Sequence, residues 1–239
     1  TRKESSAASD VYKRQAQALA GARNPMIMVG SGARHAREGV LALAETLQAP
    51  VVSLRGGRGI VPDDHPLGFS SAAGFERWAD TDVLLAVGTR QELVWFRWPD
   101  TPEGLVTVNV DIDPAQQERL EPTVGLTGDS RLVVDQLLAA LQDAPQRPSR
   151  HEELAGIKEK ARREIAELKP HADYLAAIRE VLPRDGYFVE EVSQIGFASY
   201  FALDVYDPRH FITCGYQGNL GYGFPTALGV QAAHRDSVV

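Results

Sequence analysis

"MIMVGSGARHAREGVLALAETLQAPVVSL", residues 26–54, contains one strand–helix–strand repeat, and the rest of the chain can be read outward from it. Met26 to Gly30 is an apolar run stopped by glycine. Ser31 to Ala49 reads as a helix, and Pro50 to Leu54 is β-branched and buried in character. Two more such runs follow, "VLLAVG" (Val83 to Gly88) and "LVTVNVDID" (Leu105 to Asp113). Strands that are apolar throughout, rather than alternating, predict a parallel sheet covered on both faces when helices separate them. "GDSRLVVDQLLAALQ" adds a helix, with Leu132, Leu137, Leu138 and Leu141 near helical spacing and Asp129 placed to cap it. The expected fold over residues 20–143 is therefore α/β, a doubly wound parallel sheet.

On either side the pattern changes. Residues 1–19, opening "TRKESSAASDVYKRQ", are small, polar and charged, and are expected to be a disordered or non-native leader. Residues 144–170 are expected to be a linker and a charged helix. Their prolines and polar residues mark a boundary, and Leu154, Ile157, Ala161, Ile165 and Leu168 then recur at steps of three and four. Residues 171–239 repeat the strand–helix grammar: helix "ADYLAAIREVLP", strand "GYFVEEV", a helix near Gly196 to Phe201, strand "FIT", a glycine-dense loop, and helix "PTALGVQAAH". Ser237 to Val239 would begin another strand. So few strands bury too little for a full core, so this second α/β domain is expected to be incomplete, or truncated.

Composition removes several function classes. The formal net charge is −7 and no Lys/Arg-rich face stands out, which argues against nucleic acid. No apolar run approaches a bilayer span, so no membrane partner is expected. The lone Cys214 excludes an internal disulfide framework and fits a reducing cytoplasm. The six histidines are scattered, no Gly-x-Ser-x-Gly elbow occurs, and Cys214 has no base nearby in sequence, so hydrolase and zinc readings lack support. No metal-ligating residues are expected within the chain.

Five stretches remain as candidates. "VGSGARH" (Val29 to His35) lies between a strand and a helix like a dinucleotide fingerprint. His35 replaces the third glycine, and no acidic residue closes the second strand. A tight turn and nucleotide binding in another geometry both stay open. "GTRQE" (Gly88 to Glu92) and "DIDP" (Asp111 to Pro114) occupy the carboxyl ends of strands, where open α/β sheets bind ligands. Asp111 and Asp113 read as a metal pair, or as a turn and a helix cap. "SLRGGRGIVPDDHP" (Ser53 to Pro66) places Arg55 and Arg58 among glycines, as a phosphate cradle or a flexible surface loop. Finally, "ITCGYQGNLGYGFP" (Ile212 to Pro225) is so rich in glycine that it implies positive φ angles or close backbone approach to a ligand.

Over about residues 20–239 the chain resembles the thiamine-diphosphate-dependent enzymes of the acetolactate synthase type. "NPMIMVGSGA", "APVVSLRGGRGIVPDDHPLGF", "DVLLAVGTR" and "VNVDIDP" follow the order of that family's Rossmann-like central domain. "GNLGYGFPTALGVQAA" follows the glycine-rich run of its diphosphate-binding domain. The resemblance implies that the Gly218 carbonyl meets the cofactor's 4′-amino group and that Leu220 is the wedge that bends the cofactor. Gly215 and Asn219 would lie beside them, and Ser193 and Gln194 would donate to the diphosphate. Ile195 departs from the polar residue many members carry.

Cofactor chemistry on a 2-keto acid is implied, either decarboxylation or carboligation. Magnesium would be bound by residues beyond Val239, and a pyrimidine-binding domain would come from outside the chain. The chain alone is therefore expected to be inactive, and the full protein to be a homodimer or homotetramer. Some relatives bind FAD or ADP in the central domain, at positions matching Gly30, Gly32, Gly88, Arg90, Asp111 and Ile112. The alternative expectation is accordingly a non-catalytic nucleotide-binding module.

Overall fold

The computed structural model describes residues 15–98 and 100–239. Six strands form one sheet: β1 (Pro25–Val29), β2 (Val51–Ser53), β3 (Gly68–Phe69), β4 (Val83–Val87), β5 (Val106–Asp111) and β6 (Val124–Thr127). They lie in the order β3-β2-β1-β4-β5-β6, and every pairing is parallel. The order reverses direction between β1 and β4, so the sheet is doubly wound, with helices on both sides. β1, β2 and β4 are buried at every residue, because strands covered on both faces have no solvent side to make polar.

Helix α1 (Arg37–Leu47) packs beside α4 (Ser130–Leu141), and α2 (Ser71–Trp78) packs beside α5 (His151–Ala166). Asp129 caps α4 as expected, accepting from the amides of Arg131 (3.0 Å) and Leu132 (3.2 Å). Leu132 itself points outward, and Val133 and Val134 join Leu137 and Leu141 in the core. The short α3 (Pro114–Leu120) lies between β5 and β6.

Four expectations need correction. The run from Ser31 starts as a 3-10 turn (Ser31–Ala36) before α1, because the backbone there is pressed against the neighbouring loop at Gly88. Strands β3 and β6 were not anticipated; they are two and four residues long, too short for a periodic signal. Residues 15–19 of the expected leader are helical, with Leu19 fully buried, and Arg147 donates to the carbonyls of Leu19, Ala20 and Ala22. That cap comes from more than 120 residues downstream, so nothing local announces it. The remainder of the leader, 1–14, lies outside the described residues. Ser237 to Val239 form no strand; the Val238 carbonyl accepts one bond from Tyr187 N (2.8 Å), a single rung.

The second unit is smaller. It comprises α6 (His171–Val181), β7 (Phe188–Val189), α7 (Gln194–Ala202), β8 (Phe211–Ile212) and α8 (Gly223–Ala233), with β7 and β8 paired in parallel. Its core is a small cluster around Leu175, Leu203, Val205 and Phe211.

Candidate functional site

β7 runs into two adjacent carboxylates whose side chains diverge. Glu190 turns inward and is 1% exposed. Its Oε1 accepts from the Thr213 hydroxyl (2.6 Å), the Tyr200 hydroxyl (3.1 Å) and Cys214 N (3.3 Å), which ties the end of β7 to the start of the glycine loop. Its Oε2 is buried without a partner. Burial, followed by the neighbouring Glu190, pushes the Cys214 thiol above its ordinary range, which favours its protonated form.

Glu191 turns toward the loop. Its Oε2 accepts from Gly223 N (2.8 Å), and its Oε1 from Val192 N (2.8 Å) and Gly221 N (3.1 Å). These backbone donors, Gly223 first, hold its carboxyl below the usual range. A single side chain thus joins the turn before α7 to the glycine loop before α8.

Ser193 caps α7: its hydroxyl accepts from Gly196 N (3.1 Å) and donates to the Glu191 carbonyl (3.3 Å). Gln194 Oε1 lies 2.9 Å from His171 Nε2. Gly215, Gly218 and Gly221 have φ of 69°, 61° and 78°, the left-handed region that favours glycine, and a Cβ on any of them would meet open space. Asn219 is exposed, and Leu220 is 80% exposed.

The central sheet presents its own edge. Gly30, Gly88 and Arg90 line a cleft of about 410 Å³ that is closed on its far side by Gly215 and Tyr216 of the glycine loop. The Arg90 guanidinium lies 4.5 Å from the Tyr216 ring centroid. Gly32, Gly88, Arg90, Asp111 and Ile112 line a second cleft of about 250 Å³. Asp111 fixes a turn by accepting from Asp113 N (3.0 Å), and Asp113 caps α3 by accepting from Ala115 N (3.0 Å). Gly30 and Gly32 are glycine for packing reasons: a Cβ would stand 2.4 Å from the Gly88 carbonyl oxygen or 2.8 Å from Gly88 Cα.

The flexible-surface-loop reading of Arg55 and Arg58 does not hold: Arg58 is buried, and both guanidiniums donate to protein groups, Arg55 from the wall of the first cleft.

Comparison with known sequences identifies two family profiles. The profile described as "Thiamine pyrophosphate enzyme, central domain" matches residues 12–137, over half of the chain, and "Thiamine pyrophosphate enzyme, C-terminal TPP binding domain" matches 191–239. The chain belongs to the thiamine pyrophosphate enzyme family. It is 32% identical over 230 residues to "Probable 2-ketoarginine decarboxylase" of Pseudomonas aeruginosa, covering 93% of this chain and 41% of that protein. It is 29% identical over 238 residues to "Glyoxylate carboligase" of Escherichia coli O157:H7 (89% and 39%). Against "Probable acetolactate synthase large subunit" of Methanocaldococcus jannaschii the identity is 28% over 251 residues (92% and 41%). The chain thus spans about two fifths of the length of these relatives.

For a member of the thiamine pyrophosphate family, the residues present fit a diphosphate cofactor. The first turn of α7 offers backbone amides at a helix N-terminus. The space beside the loop's glycines is open, and the apolar Leu220 next to them is exposed and free to meet a ligand. Sequence reasoning missed Glu190 and Glu191, although it singled out their stretch. The available signal was a pair of acids at a strand end, where alternation sends one side chain inward and the other outward.

Proposed function

We propose that this chain supplies the central unit and part of the diphosphate-binding unit of a thiamine-diphosphate-dependent lyase or transferase acting on a 2-keto acid. The observation that carries this reading is the Glu191 bridge, which unites the α7 turn and the glycine loop in one site. When bound, thiamine diphosphate supplies a carbon nucleophile and then an electron sink for the bond broken at the substrate's carbonyl carbon. The protein's share is binding, orientation and exclusion of water.

The amides opening α7 and the polar side chains of Ser193 and Gln194 take the diphosphate. Gly218 presents its carbonyl oxygen to an amino hydrogen of the pyrimidine. Leu220 packs against the cofactor as a wedge, with Gly215 and Asn219 shaping the wall on either side. Magnesium would serve as the diphosphate's counter-ion. Assembly as a dimer or tetramer is supported by α8, which is apolar yet exposed at Phe224 and Leu228. No helix among the described residues is long and apolar enough to cross a membrane, and the single Cys214 thiol suits the cytoplasm.

Calorimetry of the complete polypeptide with thiamine diphosphate and magnesium tests the reading, followed by carbon dioxide release from 2-ketoarginine, glyoxylate and other 2-keto acids. Cofactor binding and turnover of one of them are expected; absence of cofactor binding overturns the assignment. The 239-residue chain by itself is expected to release no carbon dioxide. A second reading, ADP or FAD in the central unit, is favoured by one observation: five of the six candidate positions surround the 250 Å³ cleft. Titration of either nucleotide decides it, and silence removes it.

A further inference from the structure

The loop after β2 makes contacts that the proposed function does not explain. Arg58 Nη1 donates to the carbonyls of Ser199 (3.2 Å) and Tyr200, and Nη2 donates to the Leu203 carbonyl and to Asp63 Oδ2 (2.6 Å). Those carbonyls close the C-terminal end of α7, so a buried cation complements the helix dipole there. The opposite end of the same helix is the turn at Ser193 and Gln194. The Arg58 guanidinium also lies 5.5 Å from the ring of Phe211, in the strand that leads into the glycine loop.

Arg55 reaches that loop directly. Its Nη1 donates to the Gly215 carbonyl (3.1 Å) and lies 3.0 Å from Glu92 Oε2. The backbone of Arg55 has φ 49°, left-handed geometry that costs a non-glycine residue about 1 kcal/mol. With glycines at 56 and 57 beside it, arginine occupies a position whose backbone favours glycine. The loop has no slack: a Cβ on Gly59 would stand 2.1 Å from the Asp207 carbonyl oxygen.

We propose that Arg55 and Arg58 are positioning residues for the cofactor. Through them the central unit sets where the diphosphate-facing turn and the glycine loop stand relative to each other. This rests on the thiamine-diphosphate reading above. At nine residues α7 is about 14 Å long, short and stiff enough for a shift at its C-terminal end to reach Ser193. Loss of Arg58 leaves three helix carbonyls without their donor, and loss of Arg55 removes the tie to Gly215, where Glu190 still holds Thr213 and Cys214. The plainer alternative is that these arginines only hold two units together. Arg37 supplies the control, since it bonds Asp207 (2.7 Å) and the Tyr206 carbonyl (3.2 Å) across the same boundary and touches neither cofactor stretch.

The experiment compares Arg55→Gln, Arg58→Met and Arg37→Met in the complete polypeptide. It reads the cofactor dissociation constant by calorimetry, the urea midpoint, and amide hydrogen exchange without cofactor. Arg55→Gln should raise the dissociation constant about tenfold, the worth of a charged hydrogen bond, and speed exchange over 215–223 with little change in midpoint. Arg58→Met should speed exchange over 194–203 and weaken cofactor further. Arg37→Met should lower the midpoint and leave the dissociation constant unchanged. Should Arg58→Met fail to fold, Arg55→Gln decides alone. Equal cofactor loss in Arg55→Gln and Arg37→Met, or unchanged exchange and affinity in Arg55→Gln, overturns the proposal. If the unaltered protein binds no thiamine diphosphate, the functional reading falls instead, and the exchange results still report whether the loop orders these two stretches.

Discussion

Gly32 and Gly88 at the edge of the central sheet, and Gly218 in the loop after β8, all follow strands and precede helices, yet they are glycine for opposite reasons. A Cβ on Gly88 would stand 2.5 Å from the Gly32 carbonyl carbon, so there two backbones already fill the space. A Cβ on Gly218 would meet nothing within 4 Å, and only its φ of 61° demands glycine. At the first edge backbone seals the space a Cβ would need; at the second that space is open. The two face each other across the cleft that holds both Gly30 and Gly215. A dense glycine run therefore has two meanings, and the space beyond the missing Cβ separates them.

Substitutions can break this contrast. Gly88→Ala, with backbone in its way and φ 55°, should destabilise the chain by about 3 kcal/mol in urea unfolding; a tolerated alanine would show the edge is not sealed. Gly218→Ala should cost about 1 kcal/mol of stability and proportionally more cofactor affinity, so equal losses would erase the distinction. Leu220→Ala removes an exposed side chain, and its unfolding free energy should stay within about 0.5 kcal/mol of the parent's. Turnover of the complete enzyme should nonetheless fall about tenfold or more, as misplacement of a reacting group does; unchanged turnover would remove the wedge role.

The smallest effect concerns Glu191. Its folded carboxyl is depressed, so the tether on Gly221 and Gly223 is complete above the ordinary glutamate range and is lost as pH falls through the lower folded value. The Gly221 and Gly223 amide resonances should shift with an inflection below that range, and Glu191→Gln should abolish the inflection. An inflection at the ordinary value would mean the loop is held by something else.

Much of the architecture was legible beforehand, unevenly. β1, β2 and β4 announced themselves because a strand buried on both faces is apolar at nearly every position, and β5, only partly buried, by its β-branched run. β3 and β6 did not, since two to four residues carry no period and their place is set by neighbours. At the site, the glycine loop and the stretch around Ser193 stood out by composition and resemblance. Glu191 did not, because a carboxylate that accepts backbone amides some 30 residues away looks like any other surface acid.

The sequence by itself determined the α/β class, the alternation of helices and buried strands, the thiamine diphosphate resemblance, and the glycine loop as a special backbone. Those are local properties: periodicity and residue type record which side is buried and where φ must be positive. Tertiary structure alone decided the partners. Arg58 and the Ser199 carbonyl are 141 residues apart, and Arg55 and the Gly215 carbonyl 160. A guanidinium among glycines looks the same whether it awaits a phosphate or closes a distant helix, because its chemistry is carried by the acceptor, and only the folded chain places the acceptor beside it.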